Sequence, residues 1–259
     1  MTETNELILP TEKILKLTDS PEKLIIYSKP KVGKTTMLAQ LENNLIIDLE
    51  KGANKVDAMK IQANSLTELA KVINAIKKSE HKYDYISVDT ISRLEDWCEW
   101  DGTAMYMRTG MGKKFNRVLD KDGNLVLDPA TGKSQVLARK NWVSCLTLPK
   151  GAGYLYLRNS FKKWLFMIMD LAPKVIFVAH LKDSSVDIKG KEVATKDLAL
   201  TGMLKTITAG LVDAIGYVYW EEDQLMISFE SRDGVEANSR CQHLANVTLN
   251  FEWDNIYID

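Results

Sequence analysis

Eight consecutive residues constrain this chain more than any others: Ser28-Lys29-Pro30-Lys31-Val32-Gly33-Lys34-Thr35. They follow an apolar run, Leu24-Ile25-Ile26-Tyr27, and lead into a helical pattern from Thr35 to Leu41. Strand, tight loop and helix in that order form the setting of a phosphate-binding P-loop. The N–H groups of the loop and of the first helical turn converge on one anion. Lys34 is expected to reach the β- and γ-phosphates of a nucleotide, and the Thr35 hydroxyl to sit on Mg²⁺. The expected nucleotide contacts are therefore Ser28, Lys29, Pro30, Lys31, Val32, Gly33, Lys34, Thr35 and Thr36. Ser28 stands where such loops usually carry glycine, and a small serine still permits the turn. A lysine-rich surface turn is the plainer alternative, and the flanking strand and helix argue against it.

Around the loop, strands and helices alternate. Apolar runs predict strands at Leu24–Tyr27, Leu45–Leu49, Tyr85–Asp89 and Val175–Ala179, with later strands at Ala214–Trp220, Gln224–Glu230 and Asn255–Ile258. Ser65-Leu66-Thr67-Glu68 reads as a capping box opening a helix to about Lys78. Further helices are expected from near Ser92 through Trp97 and from Tyr154 to Leu171. Between about Asp101 and Pro149 the sequence reads as irregular. Within it, Val118-Leu119 and Leu125-Val126-Leu127 flank Asp120-Lys121-Asp122-Gly123-Asn124, a hairpin signal. The polar stretch Asp183–Lys196 reads as a mobile segment. Short, uninterrupted Val/Ile/Leu runs between helices imply a mostly parallel sheet covered on both faces. Ligands of such sheets sit at the carboxyl ends of the strands.

Each buried strand ends in a polar group suited to that position. Tyr85–Val88 ends in Asp89-Thr90, and an aspartate there holds Mg²⁺ directly or through water. Leu45–Leu49 leads to Asp48-Leu49-Glu50, in which either carboxylate can orient an attacking water as general base. Val175–Ala179 ends in His180, which can donate to a γ-phosphate and lose that bond on hydrolysis, coupling nucleotide state to the segment that follows. His81 and His243 lie in polar stretches and carry no expected role.

The chain has 259 residues, 45% of them hydrophobic, enough for one large α/β domain. The expected organisation is a single domain over 1–259 with 101–150 inserted into it. Cys98, Cys145 and Cys241 are far apart and odd in number, which argues against a disulfide framework and for a reducing cytoplasm. No signal peptide is evident, and the longest apolar run, from Trp164 to Met169, is too short to span a bilayer. A net charge of −1 implies no polyanionic partner for the chain as a whole. The charge is uneven, however. Arg108 to Lys163 holds 12 Lys/Arg against 3 Asp/Glu, a balance of +9, leaving −10 elsewhere. A solvated basic face is the default reading of such a stretch, and a nucleic-acid contact the sharper one.

The ordered set of motifs resembles a known family. The P-loop through Thr36, Ile47-Asp48-Leu49-Glu50, Val88-Asp89-Thr90-Ile91 and Phe177-Val178-Ala179-His180 follow the order of a RecA-like core. Together with Leu148–Tyr154, Leu200-Thr201-Gly202, Asp213–Gly216 and Asn238–Cys241, they resemble phage-encoded nucleotide-binding proteins of the AAA-24 type. That group includes RecA-core single-strand annealing and recombination ATPases. The resemblance implies an α/β, RecA-like P-loop NTPase fold with an inserted basic segment, ATP and Mg²⁺ as cofactors, and Glu50, ahead of Asp48, as the water-activating residue. It implies Lys34 and His180 as further catalytic groups, with His180 as the polar sensor, and Thr35 and Asp89 as the metal site. Arg240, or Arg232, resembles arginines that reach a neighbour's γ-phosphate, with Arg240 favoured. The stretch Lys182–Lys196 and the basic region after Asp89 lie where such proteins have DNA-binding loops. The implied partners are single-stranded DNA, a single-strand-binding protein and further copies of this chain on DNA, with no membrane, in the cytoplasm of a bacterial host. Two rivals remain. One is a partition-type ATPase dimer on duplex DNA, for which Lys29 stands at the signature lysine. The other is a nucleotide-gated interaction module without significant turnover.

Overall fold

The computed structural model describes residues 11–13, 19–188, 191–232 and 234–258. Its first strand shows why the chain folds in layers. In β1 (Lys23–Ser28), side chains alternate between two faces, yet Leu24, Ile25, Ile26 and Tyr27 are all fully buried. Such a strand must be covered on both sides. The strands that follow are β2 (Asn44–Asp48), β3 (Lys60–Gln62), β4 (Tyr85–Asp89), β5 (Lys174–Ile188), β6 (Lys191–Leu198), β7 (Ala214–Glu221), β8 (Gln224–Ser228), β9 (Asn238–Ser239) and β10 (Thr248–Asn250). The sheet runs β10-β8-β7-β1-β5-β4-β2-β3. From β7 to β3 every neighbouring pair is parallel, while β8 and β10 are added antiparallel at one edge. The mostly parallel sheet flanked by helices is the RecA-like arrangement the motifs imply.

The helices are α1 (Lys34–Ala39), α2 (Leu66–Lys78), α3 (Ile91–Met107), α4 (Tyr154–Met169) and α5 (Met203–Leu211). One face of the sheet, carrying Ile25, Ile47, Val88 and Phe177, packs against α2 to α5. The other face, carrying Leu24, Ile26, Ile46 and Val178, packs against Met37 and Leu38 of α1 and against Phe251, Trp253 and Ile256. The Trp253 indole N–H donates to Met37 O at 2.7 Å, closing the end of α1. In α2, Leu69, Val72, Ile73 and Ile76 recur at helical spacing and are buried. Its start is the expected box, displaced at one contact. The Ser65 hydroxyl accepts from Glu68 N–H, while the Glu68 carboxylate accepts from Asn64 N–H rather than Ser65 N–H.

Several elements differ from the sequence expectation. α3 does not stop near Trp97 but continues to Met107, so helix occupies the first part of the stretch read as irregular from Asp101. Within α3, Gly102 lies against the α4 backbone, where an added Cβ would sit 2.9 Å from Leu157 N. The basic segment is built from three short extended runs, each bridged to the other two through Arg117–Val136, Leu119–Leu125 and Leu127–Ser134. Its hairpin signal is therefore borne out, with a third run added. Asn116 anchors the segment by exchanging two hydrogen bonds with the Val143 backbone, at 2.7 and 3.0 Å.

The stretch Asp183–Lys196, expected as a mobile polar loop, is a β-hairpin. β5 and β6 pair antiparallel from Leu181–Leu198 to Ile188–Lys191, and residues 189–190 at its tip lie outside the described residues. Asn255–Ile258 is not a strand: Trp253–Asn255 is a short 3-10 turn, and the added strand is β10. No helix among the described residues is long and apolar enough to cross a membrane.

Candidate nucleotide-binding site

Strand register places the chemistry. Ser28, the last residue of β1, lies directly beside His180 on β5, and Asp89 of β4 lies beside Val178 of the same strand. One strand thus separates the P-loop strand from the strand that ends in Asp89. A cavity of about 350 Å³ opens at these strand ends. It is lined by Pro30, Lys31, Gly33, Lys34, Thr35 and Thr36 from the loop and by Glu50, Gly52, Val56, Asp89 and His180. Lys31 and Gly33 have φ of 66° and 114°, left-handed values that curl the loop, and Gly33 meets no neighbour there.

Ser28 does more than replace a glycine. Its hydroxyl accepts from the Lys34 ammonium at 2.6 Å and donates to Lys29 O at 2.7 Å. Lys34 also donates to Lys29 O at 3.1 Å, so its cation lies over the loop it is to share with phosphate. Burial lowers the Lys34 pKa, and Asp89 and Glu50 oppose that shift.

The Thr35 hydroxyl donates to Asp89 at 2.6 Å. Burial raises the Asp89 pKa, while the Thr35 hydrogen bond and the Lys34 charge pull it back. A hydroxyl and a carboxylate converging beside a phosphate cradle fit Mg²⁺, which takes one or two protein oxygens and completes its shell with phosphate and water. Among the described residues there is no cluster of three His, Cys, Asp or Glu that would hold a metal without such help.

The two candidate bases separate cleanly. Asp48 is buried and turned into its own loop, where its carboxylate accepts from the N–H groups of Glu50, Gly52 and Ala53 at 2.9, 3.2 and 2.9 Å. It shapes the turn that presents Glu50. Glu50 lines the cavity, accepting from the Thr90 hydroxyl at 2.7 Å and from His180 Nε2 at 3.0 Å. The His180 hydrogen bond is the largest cause holding the Glu50 carboxyl below its ordinary range. Burial acts the other way, and Thr90 adds to the lowering. His180 is thus committed to Glu50, a contact that competes with the expected donation to a γ-phosphate. Its Nδ1 is buried without a hydrogen-bond partner.

Sequence reasoning missed the groups that hold these side chains. Thr90 both secures Glu50 and caps α3, accepting from Arg93 N–H at 3.4 Å. Its position directly before a helix was the available signal. Ser92 bridges the root of the hairpin, accepting from His180 N–H at 3.3 Å and donating to Ala199 O at 3.2 Å. Lys29, one of the expected nucleotide contacts, pairs with Asp183 at the same root, 3.6 Å away and exposed.

Arg240 does not join the site. It follows β9, which pairs with the beginning of β7, so it stands at the end of the sheet opposite the P-loop. Its guanidinium donates to Gly210 O at 2.9 Å, and Arg232 pairs with Glu230 at 3.0 Å. Neither arginine reaches the nucleotide cavity of its own chain, because the antiparallel return of the chain carries both away from it.

Comparison with known proteins agrees with this geometry. Residues 20–112 match the family model described as an AAA domain, of the AAA-24 type. The match spans the P-loop, Glu50, Asp89 and α3. No curated protein matches the chain at a significant level.

Proposed function

We propose that the protein is a Mg²⁺-dependent ATPase that engages single-stranded DNA in phage recombination, annealing or replication; the match of residues 20–112 to the AAA-domain family model supports the nucleotide-binding part of this reading. Lys34 and the loop N–H groups bind the phosphates, and Thr35 and Asp89 hold the cation. Mg²⁺ held there would supply charge neutralisation to the phosphates. Glu50, ionised and close to the open cavity, orients the attacking water.

The observation that carries this reading is the contact between Glu50 and His180. His180 is the residue at which β5 leaves the sheet and becomes the hairpin. A γ-phosphate that takes over the His180 Nε2–H releases Glu50 and shifts the hairpin root clamped by Ser92. A ligand moves such an element only through its different affinity for the two states, and ATP and ADP differ in the group that competes here. The hairpin and the +9 segment are the proposed DNA contacts. The charge of that segment and the family resemblance support the assignment. The chain is proposed to act as one domain with the 101–150 insertion as a DNA-binding arm. It assembles with further copies on DNA, where Arg240 is available only to a neighbour's nucleotide. The test is ATP turnover with and without single-stranded DNA, with duplex DNA as control. Stimulation by the single strand alone is expected. Equal turnover in all three conditions overturns the DNA-coupled reading and leaves a nucleotide-binding domain with another partner.

A further inference from the structure

The phosphate cavity contains no Phe, Tyr or Trp, so it offers a nucleobase no flat apolar surface. A nucleotide whose phosphates lie on Lys34 and Thr35 must place its base outside that cavity. β7 lies against β1 on the side away from β5, with Tyr217 beside Tyr27. Continuing three residues further, β7 brings Trp220 alongside the P-loop. The Trp220 indole N–H donates to Val32 O at 3.0 Å, a contact between residues 188 positions apart. Just over half of the residue, 55%, is exposed. A large aromatic ring held by its polar edge and bare on its surface is suited to stacking.

We infer that Trp220 is the platform on which the nucleobase stacks, a subsite for the base separate from the phosphate cradle. The inference rests on the nucleotide-binding reading of that cradle. The hydrogen bond to Val32 fixes the ring relative to the loop, so phosphate and base positions are set by one rigid contact. Stacking reads the face of a base rather than its hydrogen-bonding edge, so this subsite tolerates different bases.

The test compares two ligands that share phosphates and differ in the base: ATP and inorganic tripolyphosphate, each with Mg²⁺. Dissociation constants are measured for the parent, Trp220→Ala and Trp220→Phe. Trp220→Ala is expected to lose roughly tenfold in ATP affinity relative to its tripolyphosphate affinity, the scale of one base–aromatic stack. Trp220→Phe, which keeps a ring and loses the N–H, is expected to retain most of that preference for ATP. If Trp220→Ala weakens both ligands equally, Trp220 only braces the loop and the platform is overturned. Unchanged binding of both ligands overturns it as well. A parent that binds neither ligand overturns the nucleotide reading itself, a different failure from loss of the ATP preference.

Discussion

Lys34 has the most exacting position in the site, since a buried ammonium must be matched by phosphate or by loop acceptors. Lys34→Ala is expected to abolish ATP binding, measured by calorimetry, because the phosphate charge loses its main counter-charge. Glu50→Gln keeps the shape and the Thr90 contact, so binding survives while turnover falls by about 10²-fold or more, the scale for removing a general base. Normal turnover in that variant moves the role elsewhere. The Glu50 carboxyl is held below its ordinary value of 4.5, chiefly by His180. A lowered carboxyl pKa gives stability that is complete above the ordinary range and lost as pH falls through the lowered value. In His180→Ala the Glu50 pKa returns upward, so the acid limb of kcat/KM against pH moves to higher pH. An unmoved limb assigns it to another group. The P-loop was legible at this scale because its residues are local in sequence. The choice of Glu50 over Asp48 came from the family resemblance rather than from the residue pattern, since strand alternation stops at the turn that Asp48 itself organises.

The conspicuous elements, β1, β2, β4 and the first part of β5, were legible because burial on both faces writes an unbroken apolar run. The hairpin of β5 and β6 was hidden for the opposite reason. Its polar sequence carries no apolar period, and its order comes from cross-strand pairing. α5 was missed because Gly210 and the β-branched Thr206, Ile207 and Thr208 weaken the local helix signal, and burial of Leu204 and Thr208 supplies what propensity lacks. β3 and β10 are three residues each, below the length at which a pattern exists. Two predictions belong to elements. Gly102→Ala pushes a methyl into the α4 backbone and is expected to destabilise the protein by about 1–3 kcal/mol, read from urea unfolding. If the hairpin is the DNA-facing output of nucleotide state, His180→Ala binds ATP nearly as well as the parent. It loses the difference in single-stranded DNA affinity between ATP and ADP. A preserved difference makes His180 a structural residue.

For the whole molecule, the near-zero net charge conceals two regions of opposite sign. Binding of single-stranded DNA through the +9 segment should weaken steeply with salt, with a log–log slope of about −0.7 for each phosphate neutralised. Joint charge reversal at Lys113, Lys114 and Arg117 should flatten that slope. An unchanged slope at unchanged affinity leaves the segment as a solvated face. The layering of the sheet was foreseeable from its apolar runs, but the closure of α1 was not, because the partners are far apart in the chain. Trp253 reaches Met37 across 216 positions, and Ile258 N–H reaches the Ser20 hydroxyl across 238. That closure bears on synthesis. A ribosome releases the P-loop early and Trp253 late, so α1 waits with one flank uncovered while some two hundred residues are added. The nascent chain can shape its phosphate loop long before it can seal it, and a chaperone or a captured nucleotide would find its opening in that interval.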